Sequence, residues 1–202
     1  MSNKLVIFDL DGVLVDACEW HRVALNESLM EICSYQISKE EHYNIFNGIP
    51  TMKKLKILTE KGIVEKEQHK IIYDLKQRKT IDIINRFAEV RTEKQEMLKY
   101  LKSSGHIIAC YTNSIRRTAT LMLQKTGILD LFDYLLTNQD VSKPKPDPEG
   151  YLFLMNHFGF KANETYIVED SPKGLAAAHA TGAFVFQVQN PEEVNMELLK
   201  EL

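Results

Sequence analysis

An apolar run that ends in two acids constrains this chain more than any other stretch. Leu5–Phe8 is long enough for a short buried strand, and Asp9 and Asp11 follow it, separated by one residue. A buried parallel strand reads as a continuous apolar run, and ligands of open α/β sheets lie beyond the carboxyl ends of the strands. Alternation along an extended chain sends both carboxylates to the same side. Because so close a pair repels itself unless a cation or a shared proton relieves it, the stretch predicts Mg²⁺ or acid–base chemistry.

Composition narrows the class of protein. The 202 residues are enough for one domain with an insertion or for two small domains. Hydrophobic residues make up 44% of the chain and charged residues 26%, which is typical of a globular protein with a normal core. The net charge of -3 argues against a general nucleic-acid binder, because such proteins are usually basic. We therefore expect no nucleic-acid partner.

Targeting and redox signals indicate a cytoplasmic protein with no membrane partner. No apolar run approaches the roughly 18 residues that a membrane span needs, and the chain enters its first strand too early for a signal peptide. The cysteines Cys18, Cys33 and Cys110 are odd in number and lack paired metal-ligand spacing. Reduced thiols are therefore expected, and no base is implied beside Cys18 that would make it a nucleophile.

An all-helical block follows the acidic stretch. Residues 16–89 carry apolar side chains at helical spacing and contain no strand pattern. Asp16 and Glu19 resemble a capping box at the start of the first helix, and Ser38 with Glu41 repeats the arrangement. The residues therefore predict an all-helical block directly after the acidic stretch.

Strands and helices alternate in the remainder of the chain. Asp147 and Ser171 are each followed by a proline, which predicts two helix starts with proline at the first helical position. Alternation of this kind means a parallel sheet that is covered by helices on both faces. Four further strands are predicted, at Ile107–Tyr111, Tyr134–Leu136, Tyr166–Val168 and Ala183–Val188.

Side chains capable of chemistry follow four of the five strands. They are Asp9, Asp11, Thr112, Lys143, Glu169 and Asp170. Because the carboxyl ends of parallel strands share one edge of a sheet, we expect these groups to converge. Hard oxygen ligands suit Mg²⁺, while the hydroxyl and the ammonium suit a phosphoryl group, whose charge must be neutralised during transfer. One aspartate is then free to attack phosphorus covalently.

The order and spacing of these segments resemble the haloacid dehalogenase superfamily, in its subfamily I branch of phosphatases and β-phosphoglucomutase-like enzymes. The four motifs lie at residues 9–16, 112–114, 143–147 and 168–174, so the resemblance covers essentially the whole length. It implies a Rossmann-like parallel-sheet core with an inserted all-helical cap. On this basis the core is expected over residues 1–15 and 90–202, and the cap over 16–89.

The resemblance also implies catalytic roles. Asp9 corresponds to the nucleophile that forms an aspartyl-phosphate, and Asp11 to the general acid, which later acts as the base. Thr112 and Lys143 correspond to the residues that hold the phosphate, with Asn113 as a further substrate-binding candidate. Lys145 competes with Lys143 for this role, and we choose Lys143 because it matches the lysine of the family motif.

A metal site follows from the same resemblance. Asp9, the main-chain carbonyl of Asp11, Glu169 and Asp170 are implied to surround Mg²⁺, directly or through water. Glu169 has an alternative interpretation, because an acid before a helix is favoured there without any metal. Asp170 is therefore the safer ligand.

Within the helical block, Asp16, His21 and Gly48 are the candidate substrate-binding residues. Residues 16–21 are similar to the corresponding stretch of β-phosphoglucomutases, although related phosphatases share much of it. We expect His21 to be a packed or hydrogen-bonding residue rather than a base.

A Mg²⁺-dependent phosphatase acting on a small phosphorylated metabolite is therefore the first interpretation. Asp11 favours it over a dehalogenase, because an alkoxide leaving group needs a proton and a halide does not. The alternative is a hexose-phosphate mutase, but residues 48–51 read Gly-Ile-Pro-Thr where those enzymes carry an arginine for the second phosphate. A non-catalytic phosphoacceptor or binding protein is the third interpretation. We expect a monomer, with a homodimer as the alternative.

Overall fold

The computed structural model describes residues 3–200 of the chain. Within this range the chain forms five β-strands, all parallel, together with eight α-helices. None of the helices in this range is long and apolar enough to cross a membrane. The structure confirms the α/β class that strand–helix alternation predicts.

The chain divides into two compact units. The described parts of Met1–Asp16 and Glu89–Leu202 form one unit, and Ala17–Ala88 forms the other. Each of these junctions lies one residue from the position expected from the sequence. We call the first the sheet unit and the second the helical unit.

The sheet unit is built on five strands, which are β1 (Leu5–Phe8), β2 (Ile107–Thr112), β3 (Tyr134–Thr137), β4 (Thr165–Glu169) and β5 (Phe184–Gln187). Their order in the sheet is β3-β2-β1-β4-β5. The chain therefore runs outward from β1 through β2 and β3, and then crosses β1 to add β4 and β5. Ligands of open α/β sheets bind at such a reversal of strand order, which here lies at the end of β1.

The helices are α1 (Cys18–Cys33), α2 (Lys39–Glu41), α3 (Thr51–Glu60), α4 (His69–Phe87), α5 (Thr92–Ser103), α6 (Arg116–Lys125), α7 (Glu149–Phe158) and α8 (Pro172–His179). The helix α2 continues directly into a π-helical turn at His42–Phe46. The helices α1 to α4 belong to the helical unit, and α5 to α8 belong to the sheet unit.

Each unit has its own apolar core. In the sheet unit, Leu5 and Ile7 of β1 pack in one cluster with Tyr151 and Leu154 of α7. All four residues of β1 are buried, as expected for a central parallel strand. In the helical unit a separate cluster joins α1, α3 and α4, and its fully buried members include Leu25, Leu29, Leu55, Leu58 and Ile72.

Two of the predicted helix caps form. The Ser38 side chain accepts a hydrogen bond from Glu41 N at 3.0 Å, and that of Ser171 accepts one from Gly174 N at 3.1 Å. Pro172 occupies the first turn of α8, as predicted.

Two other cap predictions were wrong. The first helix begins at Cys18 with Ala17 as its N-cap, so Asp16 caps nothing, and the Glu19 carboxylate instead pairs with Arg22. Pro148 rather than Asp147 is the N-cap of α7, although Asp147 Oδ1 still accepts from Glu149 N at 3.0 Å. In both cases the helix starts one residue later than the cap pattern predicts.

Candidate active site

The central position of β1 brings the ends of three strands together. Phe8, the last residue of β1, pairs with Cys110 of β2 on one side and with Val168 of β4 on the other. The backbone N–H of Asp9 then donates to Val168 O at 3.0 Å. Side chains that follow these strands therefore share one edge of the sheet.

Lys145 is the buried cation at this edge. Its Nζ donates to Asp9 Oδ1 at 2.7 Å, to Glu169 Oε1 at 2.5 Å and to the Tyr111 carbonyl oxygen at 2.9 Å. These contacts use all three donors of the ammonium. The Lys145 side chain is only 2% exposed. Burial alone would lower the pKa of Lys145, but the two carboxylates outweigh it and raise that pKa well above its usual value.

Lys143 lies outside this cluster, which corrects its assignment as the lysine at the site. The Lys143 side chain is 73% exposed, and its Nζ lies 4.0 Å from Asp147 Oδ2. Asn113 explains why Lys145 is held at the site instead. Asn113 Nδ2 donates to Lys145 O, and Lys145 N donates to Asn113 Oδ1, both at 3.1 Å. The backbone of Lys145 is thereby tied to the residue that follows β2.

Two hydroxyl groups orient Asp11. Thr112 Oγ1 and Ser114 Oγ each donate to Asp11 Oδ2 at 2.9 Å. The backbone N–H of Ser114 donates in turn to Thr112 Oγ1 at 2.9 Å. Thr112 was expected as a phosphate ligand, and the structure places its hydroxyl on the predicted acid. Ser114 was not predicted.

Glu169 is fully buried, and its two oxygens accept five hydrogen bonds. Oε1 accepts from Lys145 Nζ at 2.5 Å and from the Tyr151 hydroxyl at 2.8 Å. Oε2 accepts from the backbone N–H groups of Asp170 and Ser171, at 3.0 and 3.2 Å, and from Ser171 Oγ at 3.3 Å. The carboxylate is therefore held in one orientation between the ammonium and the first turn of α8.

Two glycines leave room for these acids. A Cβ at Gly174 would lie 1.9 Å from Glu169 Oε1, and a Cβ at Gly12 would lie 2.3 Å from Asp170 Oδ2. Gly12 also has a φ of +95°, a backbone conformation that side chains disfavour. No side chain fits at either position without moving an acid of the site.

Three of the acids could hold a metal ion. Asp9, Glu169 and Asp170 each offer a carboxylate oxygen, and these oxygens lie within 4.8 Å of one another. Asp170 Oδ1 is buried and has no hydrogen-bond partner among the described residues. A buried carboxylate oxygen is costly without a partner, and carboxylate oxygens are the ligands that Mg²⁺ prefers. The donor set therefore fits a divalent cation.

The balance of charges at the site also favours a bound cation. Burial raises the pKa of Asp9 well above its usual value, and the Lys145 charge offsets this only in part. Burial and the neighbouring Glu169 raise the pKa of Asp170 to about 7. One ammonium is therefore too little positive charge for the acids gathered here, and a second cation would restore the balance.

The candidate substrate residues of the helical block lie in different surroundings. Asp16 is exposed, whereas His21 and Gly48 are half-buried. His21 Nδ1 lies 3.0 Å from the Nζ of the buried Lys76, so His21 is a hydrogen-bonding residue as expected. Gly48 has a φ of +70°, which suits glycine in the turn before α3.

A buried histidine was missed in the helical unit. His42 is 1% exposed, and neither of its ring nitrogens has a hydrogen-bond partner among the described residues. Burial, together with the nearby charges of Lys54, Arg22 and His21, lowers its pKa to about 3.

The residues that sequence reasoning missed at the site make contacts between segments that are distant in the chain. Ser114 lies within the second motif and Tyr151 lies four residues after the third, but the sequence pattern gives no sign that their hydroxyls reach Asp11 and Glu169. The available signal is glycine: Gly174 and Gly12 lie within the motifs at positions where the structure tolerates no side chain.

A family model described as haloacid dehalogenase-like hydrolase matches residues 6–188. The chain is 28% identical over 191 residues to the phosphoglycolate phosphatase of Haemophilus influenzae strain Rd, covering 90% of this chain and 84% of that protein. It is 27% identical over 193 residues to the pyrophosphatase PpaX of Bacillus velezensis, covering 90% and 82% respectively.

A solved structure supports the same fold. The β-phosphoglucomutase of Clostridium difficile superimposes with a TM-score of 0.84 at 20% sequence identity, covering 99% of this chain and 96% of that one. At this identity the similarity concerns the fold, which confirms the expected Rossmann-like sheet.

Proposed function

Because this chain belongs to the haloacid dehalogenase-like hydrolase family, we propose that it hydrolyses a small phosphomonoester and that Asp9 carries the phosphoryl group during turnover. The observation that carries this proposal is the buried contact of 2.7 Å between Asp9 Oδ1 and Lys145 Nζ at the end of β1. A carboxylate at the reversal of strand order, beside a buried ammonium, suits the transfer of an anionic group.

In the first step a carboxylate oxygen of Asp9 attacks phosphorus. The ester P–O bond breaks, and Asp11 gives its proton to the leaving oxygen, so that an alcohol is released. Thr112 and Ser114 donate to Asp11 Oδ2 and so fix the orientation of the carboxyl group that transfers the proton. Lys145 offsets the negative charge that gathers around the transferred group.

In the second step water attacks the phosphoryl group on Asp9. Asp11, now ionised, takes a proton from this water. The bond between phosphorus and the Asp9 oxygen breaks, inorganic phosphate is released, and both carboxyl groups return to their starting states. The net reaction consumes one ester and one water and yields one alcohol and one phosphate.

Asp9 and Asp170 would hold Mg²⁺, with Glu169 contributing to the negative field around it. Asp170 Oδ1, buried without a hydrogen bond, supports this assignment. Bound Mg²⁺ would supply further neutralisation of the phosphoryl charge. The five donors on Glu169 leave it less able to bind a metal directly, which favours a contact through water.

The substrate class is a small phosphorylated metabolite. The names of the relatives from Haemophilus influenzae and Bacillus velezensis, a phosphoglycolate phosphatase and a pyrophosphatase, both specify small phosphorylated compounds. His21 and Gly48 of the helical unit, and Asp16 at its junction, are the residues we propose to contact the rest of the substrate.

The test follows phosphate release from an aryl phosphate and from a panel of sugar phosphates, nucleotides and phosphorylated acids, with Mg²⁺ and in excess chelator. Asp9→Asn keeps nearly the same shape but removes the attacking charge, so turnover should fall by at least about 10³-fold. Asp11→Asn should slow hydrolysis of a sugar phosphate by about 10²–10⁴-fold. It should slow the first step with an activated aryl phosphate far less, so that a burst precedes slow turnover.

Circular dichroism of both variants serves as the control for folding. Full activity in excess chelator would exclude the metal assignment. Formation of an isomer with little phosphate release would identify a mutase. Stable phosphorylation of Asp9 without turnover would identify a phosphoacceptor.

A further inference from the structure

Two buried tyrosines flank the ammonium of Lys145. Its Nζ lies 4.7 Å from the ring centroid of Tyr111 and 5.1 Å from that of Tyr151. Both tyrosines are fully buried, and their rings meet nearly at right angles with centroids 4.9 Å apart. Aromatic faces attract a cation at these distances, so both rings favour the charged form of Lys145 at this place.

The hydroxyl groups of Tyr111 and Tyr151 differ in their hydrogen bonds. The Tyr151 hydroxyl donates to Glu169 Oε1 at 2.8 Å, on the same oxygen that accepts from Lys145 Nζ at 2.5 Å. The Tyr111 hydroxyl is buried and has no hydrogen-bond partner among the described residues. The two side chains therefore make similar ring contacts with Lys145, and only one of them is bonded to the carboxylate.

Adjacent residues of α7 create this difference. A Cβ at Gly150 would lie 2.2 Å from the ζ carbon of Tyr111, so Gly150 is the position that admits the Tyr111 ring. The next residue, Tyr151, sends its hydroxyl to Glu169. One turn of α7 therefore fixes both rings.

We propose that Tyr151 is a positioning residue for phosphoryl transfer, whose hydroxyl fixes Glu169 Oε1 so that the Lys145 ammonium stays on Asp9. This inference rests on the proposed function. The other oxygen of Glu169 is held by the backbone of Asp170 and Ser171. The Tyr151 hydroxyl therefore completes the set of donors that prevents the carboxylate from turning.

Loss of the Tyr151 hydroxyl should destabilise the transition state more than it weakens substrate binding. A displaced ammonium still attracts a phosphate dianion, but it no longer lies where charge develops during transfer. A misplacement of about 1 Å can cost on the order of 100-fold, and loss of one hydroxyl should displace Lys145 by less. We expect Tyr151→Phe to lower kcat by about 10-fold and to leave KM within about twofold.

The matched comparison is Tyr111→Phe, which removes a hydroxyl of the same kind from the opposite ring. Its kcat should exceed that of Tyr151→Phe by at least about fivefold, because no hydrogen bond to Glu169 is lost. Tyr100→Phe, at an exposed tyrosine of α5, serves as the unaffected control. All assays are run at a temperature below the thermal unfolding of every variant, so that a loss of stability alone does not change kcat.

A double-mutant cycle provides the second measurement. In a Lys145→Met background the hydroxyl has no ammonium to position, so adding Tyr151→Phe should change the remaining kcat with an aryl phosphate by less than about twofold. The proposal is overturned by equal kcat values for Tyr151→Phe and Tyr111→Phe, by a change in KM alone, or by an undiminished effect in the Lys145→Met background. Absence of turnover in the wild-type protein would instead refute the proposed function.

Discussion

At Lys145, one positive charge contacts two buried carboxylates, those of Asp9 and Glu169. Lys143 and Lys145 lie in one Lys-Pro-Lys-Pro stretch, and the match to the family motif favours Lys143. The contacts that distinguish them come from Asn113 and Glu169, which are 32 and 24 positions away from Lys145. Such pairings arise only when the sheet has formed, so local periodicity contains no information about them.

A matched pair of lysine variants tests this correction. Lys145→Met should lower kcat by at least about 100-fold. It should also lower the free energy of unfolding by about 3 kcal/mol, because two buried carboxylates lose their cation. Lys143→Met, at an exposed side chain, should change either quantity little, within about 0.5 kcal/mol for stability. Turnover of an aryl phosphate and urea unfolding at pH 7 measure both effects, and a larger loss in Lys143→Met would contradict the assignment.

His42 predicts a pH dependence of stability. Its pKa is lowered from 6.5 in a model compound to about 3 in the folded protein, mainly by burial. Between these values the unfolded chain binds the proton and the folded chain does not, so stability falls as the pH falls below 6.5. The loss should reach about 1 kcal/mol between pH 6 and pH 5.

Urea unfolding at several pH values measures this slope. His42→Gln should remove about 1 kcal/mol of the difference between pH 6 and pH 5. His179→Gln, at an exposed histidine at the end of α8, is the matched control and should keep the slope of the wild-type protein. An unchanged slope in His42→Gln would show that other groups govern the acid response.

Among the elements, helix starts show where sequence patterns succeed and fail. Ser38 and Ser171 cap their helices as predicted, because the hydroxyl needs only the next turn of its own helix as a partner. At Asp16 the predicted capping box does not form: α1 begins one residue later, and the Glu19 carboxylate makes a bidentate pair with Arg22. The cap pattern therefore does not reveal that a side chain of the box has another partner within the same turn.

The two serine caps make a matched test at this scale. Ser171→Ala should lower the free energy of unfolding by about 1 kcal/mol. It should also lower kcat severalfold, because Ser171 Oγ donates to Glu169 Oε2 as well as capping α8. Ser38→Ala removes only the cap of α2 and should leave kcat unchanged. Thermal unfolding and turnover of an aryl phosphate distinguish the two, and equal kcat values would show that the contact with Glu169 is dispensable.

For the whole molecule, the architecture was predictable and the long-range polar contacts were not. Five apolar runs followed by polar residues sufficed for the parallel sheet and for the edge that carries the site, because parallel strands obey strict rules of burial and connection. Lys94 is an example of a long-range polar contact that the sequence pattern does not predict. It lies on α5 as an ordinary helical lysine, yet it is buried and its Nζ donates to the carbonyls of Pro191 and Val194.

This contact ties α5 to the segment after β5 and can be tested. Lys94→Met should lower the free energy of unfolding by about 2 kcal/mol, because a buried carbonyl loses its donor. Lys99→Met, at an exposed lysine of the same helix, should have an effect within about 0.5 kcal/mol. Urea unfolding compares them, and similar midpoints for the two variants would show that the carbonyls find other donors.

The central place of β1 has a consequence for synthesis on the ribosome. Leu5 pairs with Ile107 on one side and with Thr165 on the other. Strand β1 is translated before the other four strands, and its partners are translated 102 and 160 residues later. At about 5–20 residues per second, the second partner follows on the order of ten seconds after the first strand. The helical unit, translated in between, has all of its residues available well before β1 can gain its second neighbour.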